Sequence, residues 1–202
     1  MSNGYDKSLD KVRKVFNKEF PHPADATCAL TELGLEVMGL KGPNFDGTPD
    51  RVSRMLEDFF SQPSSCNMTA FPPRSKTRII TMDNFTVWSF CPHHCLPVKY
   101  TLKVGYWIGK EALGLSKLGR AAQCVMQTLP LQEDVPELIA EQIEKAVKPK
   151  GVALHVRGDH LCMQMRGLAD SCVNAAGTYF TGIFVGKDQT LAASLRDEFL
   201  RM

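Results

Sequence analysis

The stretch Arg78–Ile108, RIITMDNFTVWSFCPHHCLPVKYTLKVGYWI, holds two β-rich runs around a Pro-bounded loop. Ile79–Phe90 and Tyr100–Ile108 are rich in β-branched and aromatic residues, alternate in part and contain few breakers, so each predicts a strand. Between them, Cys91-Pro92-His93-His94-Cys95-Leu96-Pro97 carries two prolines that prevent regular pairing. Towards the C-terminus, Leu115–Leu129 and Pro136–Val147 read as helices, the second with Leu138, Ile139, Gln142, Ile143 and Ala146 in helical register. Val152–Arg157 and Tyr179–Val185 read as further strands, and Leu195–Leu200 as a short final helix. Towards the N-terminus, Ser61–Arg74 holds three prolines and reads as a loop. Before it, Thr48-Pro49 starts a helix with Val52, Met55, Leu56, Phe59 and Phe60 on one face. Gly42–Gly47 is a turn cluster, and Asp25 or Thr27 can cap an earlier helix carrying Leu30, Leu33 and Leu35. Pro21 and Pro23 separate that helix from a charged first segment in which Val12, Val15, Phe16 and Phe20 have helical spacing. The order of elements predicts an α+β fold, an antiparallel sheet with helices on one face. An N-terminal helical part over 1–74 precedes a second domain over 75–202.

Composition narrows the function classes. The chain has 202 residues, 44% hydrophobic and 23% charged, enough for a substantial core. Its 24 Lys+Arg against 22 Asp+Glu give a formal charge of +2, which argues against a nucleic-acid partner or an acidic membrane surface. No apolar run approaches the roughly 18 residues of a membrane span. Asp6, Lys7, Asp10, Lys11, Arg13 and Lys14 stand where a signal peptide would be apolar. Seven cysteines at irregular spacing do not read as a secreted disulfide framework. The expectation is a soluble, cytoplasmic protein with reduced thiols.

Chemistry concentrates in two short segments, Cys91-Pro92-His93-His94-Cys95 and His160-Leu161-Cys162. Zinc takes thiolate and imidazole ligands tetrahedrally, and a catalytic site keeps one position for water. A Cys and a His three residues apart on a tight loop can reach one ion. In an extended His160-x-Cys162 the two side chains share a face. Cys91, His94 and Cys162 then form three ligands, with His93 and His160 as free imidazoles for proton transfer. A closed structural site with Cys95 as fourth ligand is the other arrangement. Gly114-Leu115-Ser116-Lys117-Leu118-Gly119-Arg120 opens a helix and reads either as an anion cradle or as a capped start with solvated cations. No P-loop or dinucleotide-binding glycine pattern occurs. Gln132-Glu133 precedes the next helix; Glu133 can pair with a guanine edge or favour the helix macrodipole.

In order along the chain these segments resemble type I GTP cyclohydrolase, from about Asp46 to Leu200. Thr48-Pro49-Asp50-Arg51 resembles that family's helix start, Cys91-Pro92-His93-His94 its Cys-Glu-His-His, and Gly114–Arg120 its Gly-Leu-Ser-Lys-x-x-Arg. Gln132-Glu133, His160–Gly167 and the closing Arg196-Asp197-Glu198-Phe199-Leu200 match further motifs. The resemblance implies the tunnelling fold in a homodecamer, with active sites between subunits. It also implies conversion of GTP and water to formate and 7,8-dihydroneopterin triphosphate, a product that serves folate, biopterin or 7-deazaguanine synthesis. Carried over by position, Cys91, His94 and Cys162 bind zinc, and His93 and His160 are the acid/base groups. Gln132 and Glu133 hold the guanine; Ser116, Lys117, Arg120, Arg166 and Arg51 hold the triphosphate. The chain departs from the family at Pro92, where the family has Glu, and at Cys95, where it has a larger apolar residue. A zinc-stabilised oligomer that binds a purine or pterin without turnover is the alternative function.

Overall fold

The computed structural model describes residues 18–19, 22–61, 67–73 and 76–202. Val12, Val15, Phe16 and Phe20, read above as one helical face, lie outside the described residues, as does Cys66. The chain packs as two compact units, Met1–Gln62 and Pro63–Met202.

In the first unit, helix α1 (Pro23–Val37) and helix α2 (Thr48–Phe60) pack together. Helix α1 begins before Asp25 and Thr27. Its cap is His22, whose Nδ1 accepts from the Ala24 amide at 3.3 Å, and Pro23 occupies the first turn where no amide is needed. Helix α2 is capped by Gly47 at φ 69°, and Thr48 is already helical. The buried residue of α2 is Ser53, whose hydroxyl donates to the Ala24 carbonyl at 3.0 Å and ties the two helices.

The second unit is built on a sheet in the order β2-β3-β5-β6, all antiparallel: β2 (Ile79–Phe90), β3 (Pro97–Trp107), β5 (Gly151–His160) and β6 (Ala175–Phe180). A small ladder pairs β1 (Ala70–Phe71) with β4 (Ala112–Leu113). Alternation decides the faces. Val98, Tyr100, Leu102, Val104 and Tyr106 of β3 and Val152, Leu154 and Val156 of β5 are almost fully buried on one face. Helices α3 (Leu115–Met126) and α4 (Val135–Val147) cover it through Leu118, Ala121, Ala122 and Val125 and through Ile139, Ile143 and Val147. The expected α+β layout, an antiparallel sheet with two helices on one face, is therefore present.

Three differences from the sequence reading concern its periphery. Strand β3 begins at Pro97, three residues early, because a proline at a strand's first residue forfeits no ladder bond it needs. The run Tyr179–Val185 is divided: β6 ends at Phe180, and Gly182–Val185 forms a 3₁₀ turn. Its apolar residues signalled burial, not extension, since Phe184 is fully buried. The final helix α6 spans Gln189–Arg201 and lies on the opposite sheet face, where Ala153, Phe184, Leu195 and Phe199 form a second core. Gly105 permits this approach, because a Cβ there would stand 3.0 Å from the Phe199 ring. Lys103 seals the edge, with Nζ 5.6 Å from the Phe199 ring centroid and 3.7 Å from Asp83 Oδ2. Phe199→Ala is expected to cost about 3–5 kcal/mol, read as a lower midpoint in denaturant; an unchanged midpoint would show that α6 does not stabilise the sheet. Among the described residues, no helix is long and apolar enough to cross a membrane.

Candidate active site and metal centre

The loop between β2 and β3 is closed by its own backbone. The Cys91 amide donates to Leu96 O at 2.8 Å, and the Cys95 amide returns to Cys91 O at 2.8 Å. Cys95 takes the left-handed conformation, φ 50°, which completes the turn. The result buries Cys91 at 4% exposure while leaving Pro92, His93, His94 and Cys95 at the surface. The His94 and His93 Nδ1 atoms stand 3.5 Å and 3.9 Å from the Cys91 sulfur.

Antiparallel pairing of β3 with β5 brings the second segment to this loop, with His160 opposite Val98. The expected extension through Cys162 does not occur. His160 ends β5, and Leu161–Gln164 forms one helical turn, α5, so Cys162 reaches the site from a helix. The donor atoms of Cys91, His160 and Cys162 all lie within 4.8 Å of one another. The structure thus groups His160 with the two sulfurs, and holds His94 to the same centre through Cys91 alone. Cys95 is exposed and free, outside this group. Cys124, on α3, is disulfide-bonded, which corrects the expectation that every thiol is reduced; sequence spacing does not reveal which sulfurs meet in space.

Burial and mutual charge shape the cluster. Burial, then the Cys91 sulfur, push the Cys162 thiol up, while Arg166 nearby draws it down. Burial lowers the His160 pKa, against the opposing charges of Glu133 and Asp159. Two soft sulfurs and a neutral imidazole suit zinc. Tetrahedral bonds of about 2.0–2.3 Å separate donors by roughly 3.3–3.8 Å, so small side-chain movements would close this set around an ion.

Two residues the sequence reading missed complete the centre. Tyr100, 1% exposed, sets its ring edge-on to His160, with centroids 6.0 Å apart at 82°. Its hydroxyl is pushed up to about 12 by burial and then by Cys91, Glu133 and Cys162. Gly158 stands directly opposite Tyr100 in the ladder. A Cβ there would collide with Gln132 Oε1 and lie 3.0 Å from His160 Nε2. The available signal was a glycine inside a strand two residues before His160, a mark of close approach. Gln132 Oε1 bonds His160 Nε2 at 2.8 Å. Glu133 is exposed beside them and acts on both Tyr100 and His160 through its charge.

The remaining predicted residues are placed elsewhere. Helix α3 is capped by Gly114 without a side-chain bond, so Ser116 and Lys117 lie in its first turn and Arg120 one turn on. Its other end meets the metal loop's strand, where Ser89 donates to Met126 O at 2.7 Å. Ten residues of helix from Ser116 to Met126 span about 15 Å, and it is the Met126 end that meets the strand leading into the Cys91 loop. Arg51 belongs to the first unit, where its guanidinium bonds Asp46 O at 3.0 Å and Thr48 Oγ1 at 2.7 Å.

The sequence profile described as GTP cyclohydrolase I matches residues 30–200. A GTP cyclohydrolase 1 of Sulfurihydrogenibium sp. (strain YO3AOP1) is 35% identical over 174 residues, covering 84% of this chain and 89% of the relative. That of Aquifex aeolicus (strain VF5) is 32% identical over 174 residues, covering 84% and 91%. A crystal structure of the archaeosine synthase QueF-Like in the apo form aligns with TM-score 0.42 and 14% identity, over 54% of this chain and 97% of that one. The matched span takes in the loop cysteine, the His-x-Cys turn and the closing helix alike, and the chain belongs to the GTP cyclohydrolase I family of hydrolytic enzymes.

Proposed function

We propose that the protein hydrolyses GTP at purine C8, releasing formate and rearranging the remainder to 7,8-dihydroneopterin triphosphate. The observation that carries this is the convergence of Cys91, Cys162 and His160 within 4.8 Å at the end of the sheet where Gln132 and Glu133 also meet. Family membership supplies the substrate, since the relatives are named for GTP.

Cys91, Cys162 and a histidine, His94 by likeness to the family, would hold zinc. Bound there, the ion supplies a Lewis acid and lowers the pKa of water to about 7. Glu133, exposed and anionic, accepts from the guanine N1–H and exocyclic amine, with Gln132 beside it. His93 and His160 move protons to and from the ring nitrogens as the bonds to C8 break. Burial lowers the His160 pKa, which favours its neutral, proton-accepting form. Ser116, Lys117, Arg120, Arg166 and Arg51 bind the triphosphate, gathering cations locally in a protein of net charge +2. The separation of Ser116 and Lys117 from Cys91 along α3 supports an active site shared between copies. The reading therefore includes a homo-oligomer, a decamer by likeness to the family, resident in the cytoplasm. The binding-only alternative draws on Pro92 in the metal loop and on a site closed by Cys95, which is exposed on that loop and outside the Cys91, His160 and Cys162 group.

The test is zinc content of the purified protein, then incubation with GTP followed for formate and a pteridine chromophore. About one zinc per chain without formate would overturn the reading. Pro92, exposed on the metal loop, lacks both a carboxylate and an amide hydrogen. Pro92→Glu is expected to change kcat at constant zinc content, by about 10-fold or more if a carboxylate there orients a ligand. Identical kinetic constants would show that the loop's stiffness has no catalytic consequence.

A further inference from the structure

We infer that Tyr100 and Gly158 are positioning residues for His160: the side-chain gap at Gly158 lets Gln132 reach His160 Nε2 along the inner face of the sheet, and the Tyr100 ring packs edge-on against the imidazole. This rests on the role given to His160 above.

The inner face of the sheet is otherwise filled. Val98, Leu102, Leu154 and Val156 around this point are at most 1% exposed. Tyr100 and Gly158 face each other across the β3–β5 ladder, so a large ring and an empty position are paired. The space that a Cβ on Gly158 would take is occupied by the amide oxygen of Gln132, and the same Cβ would lie 3.1 Å from Tyr100 Cε1. The small residue thus serves three neighbours at once: Gln132, His160 and Tyr100.

The hydrogen bond has a direction. With the Gln132 oxygen toward the ring at 2.8 Å, His160 is the donor through Nε2, an arrangement that selects the Nε2–H tautomer. Its other nitrogen is then the acceptor. The Tyr100 ring meets the imidazole edge to face at 82°, which resists rotation about the last side-chain bond. Gln132 Nε2 is buried without a partner among the described residues. One side chain is therefore divided between two duties: its oxygen orients His160, and its nitrogen remains as a donor for an acceptor atom of the purine. An unpaired buried donor is costly in the free protein, and a substrate acceptor removes that cost on binding.

The test uses zinc-loaded full-length protein with ring-15N-labelled histidine. The wild type is expected to show His160 as the Nε2–H tautomer. Gln132→Ala and Gly158→Ala should mix the tautomers, while Gln132→Glu, which keeps an acceptor oxygen, should retain it. In GTP turnover, Gly158→Ala, which displaces Gln132, should lower kcat about 10- to 100-fold and raise KM as well, with zinc content little changed. Tyr100→Ala should lower kcat by a similar factor with KM little changed, and Tyr100→Phe, which keeps the ring edge, should recover most of the loss. Gln132→Glu should instead raise KM, because it removes the Nε2 donor. If Gly158→Ala does not fold, the contrast between Gln132→Ala and Gln132→Glu carries the test. A wild-type tautomer in Gln132→Ala, or wild-type kcat in Gly158→Ala, would overturn the proposal. A wild type that shows the tautomer but releases no formate would sink the proposed function and leave the clamp standing.

Discussion

Cys91→Ser is expected to abolish metal binding and to lower formate release from GTP by about a thousandfold or more. Cys91 links the two donor segments: its sulfur lies within 4.8 Å of the His160 and Cys162 donors and 3.5 Å from His94 Nδ1. Its burial leaves no room for water to take its place at low cost. The hydroxyl of serine is a poor zinc ligand because it stays protonated near neutral pH, whereas a thiol loses its proton on ligation. Zinc content by emission spectroscopy and formate release are read on the same sample. Full zinc content in the variant would place the ion elsewhere, and near-normal formate release without zinc would remove the metal from the chemistry altogether.

The second large effect separates two histidines that the structure places differently from the family's pattern. His160→Ala is expected to keep the metal and to lose about 10²–10⁴ in kcat. His94→Ala is expected to lose the metal and the activity together. Geometry makes this a sharp comparison, because His160 is already grouped with both sulfurs, while His94 is exposed and near Cys91 only. The argument for His160 as proton carrier is its second bond: Nε2 is engaged by Gln132, and a ring so held presents one remaining nitrogen in a fixed direction. Metal loss in His160→Ala with retention in His94→Ala would reverse the two roles.

How far these elements could be read from residues differs from place to place. Ile79–Phe90 was legible to the residue, because a long β-rich run bounded by Cys91-Pro92 has no competing period. The bulge inside it was not, since the shift between Met82 and Phe85 depends on where β3 pairs. Helix α4 was legible within one residue from its spacing of Ile139, Ile143 and neighbours. Helix α6 was read at half its length because the stretch Gln189–Ser194 carries only Leu191 and two alanines as apolar residues; the Asp188 cap, which accepts from the Leu191 amide at 3.0 Å, and the buried Ala192 set its start. At the site, Cys91, His93, His94, His160 and Cys162 announce themselves by donor chemistry. Tyr100 and Gly158 do not, as neither type signals function outside its setting.

The amino-acid order alone established the α+β class, the two helices on one face and the donor-rich segments, because periodicity and ligand chemistry are local properties. The folded chain was needed for everything that depends on residues far apart meeting: β5 set beside β3 so that His160 reaches the Cys91 loop, the helical turn that delivers Cys162, and α6 on the second face. The loop Cys91–Pro97 that opened the reading is therefore half of the candidate site. Its other half, sixty and more residues on, arrives through strand register, and register is a property of paired chains rather than of either one.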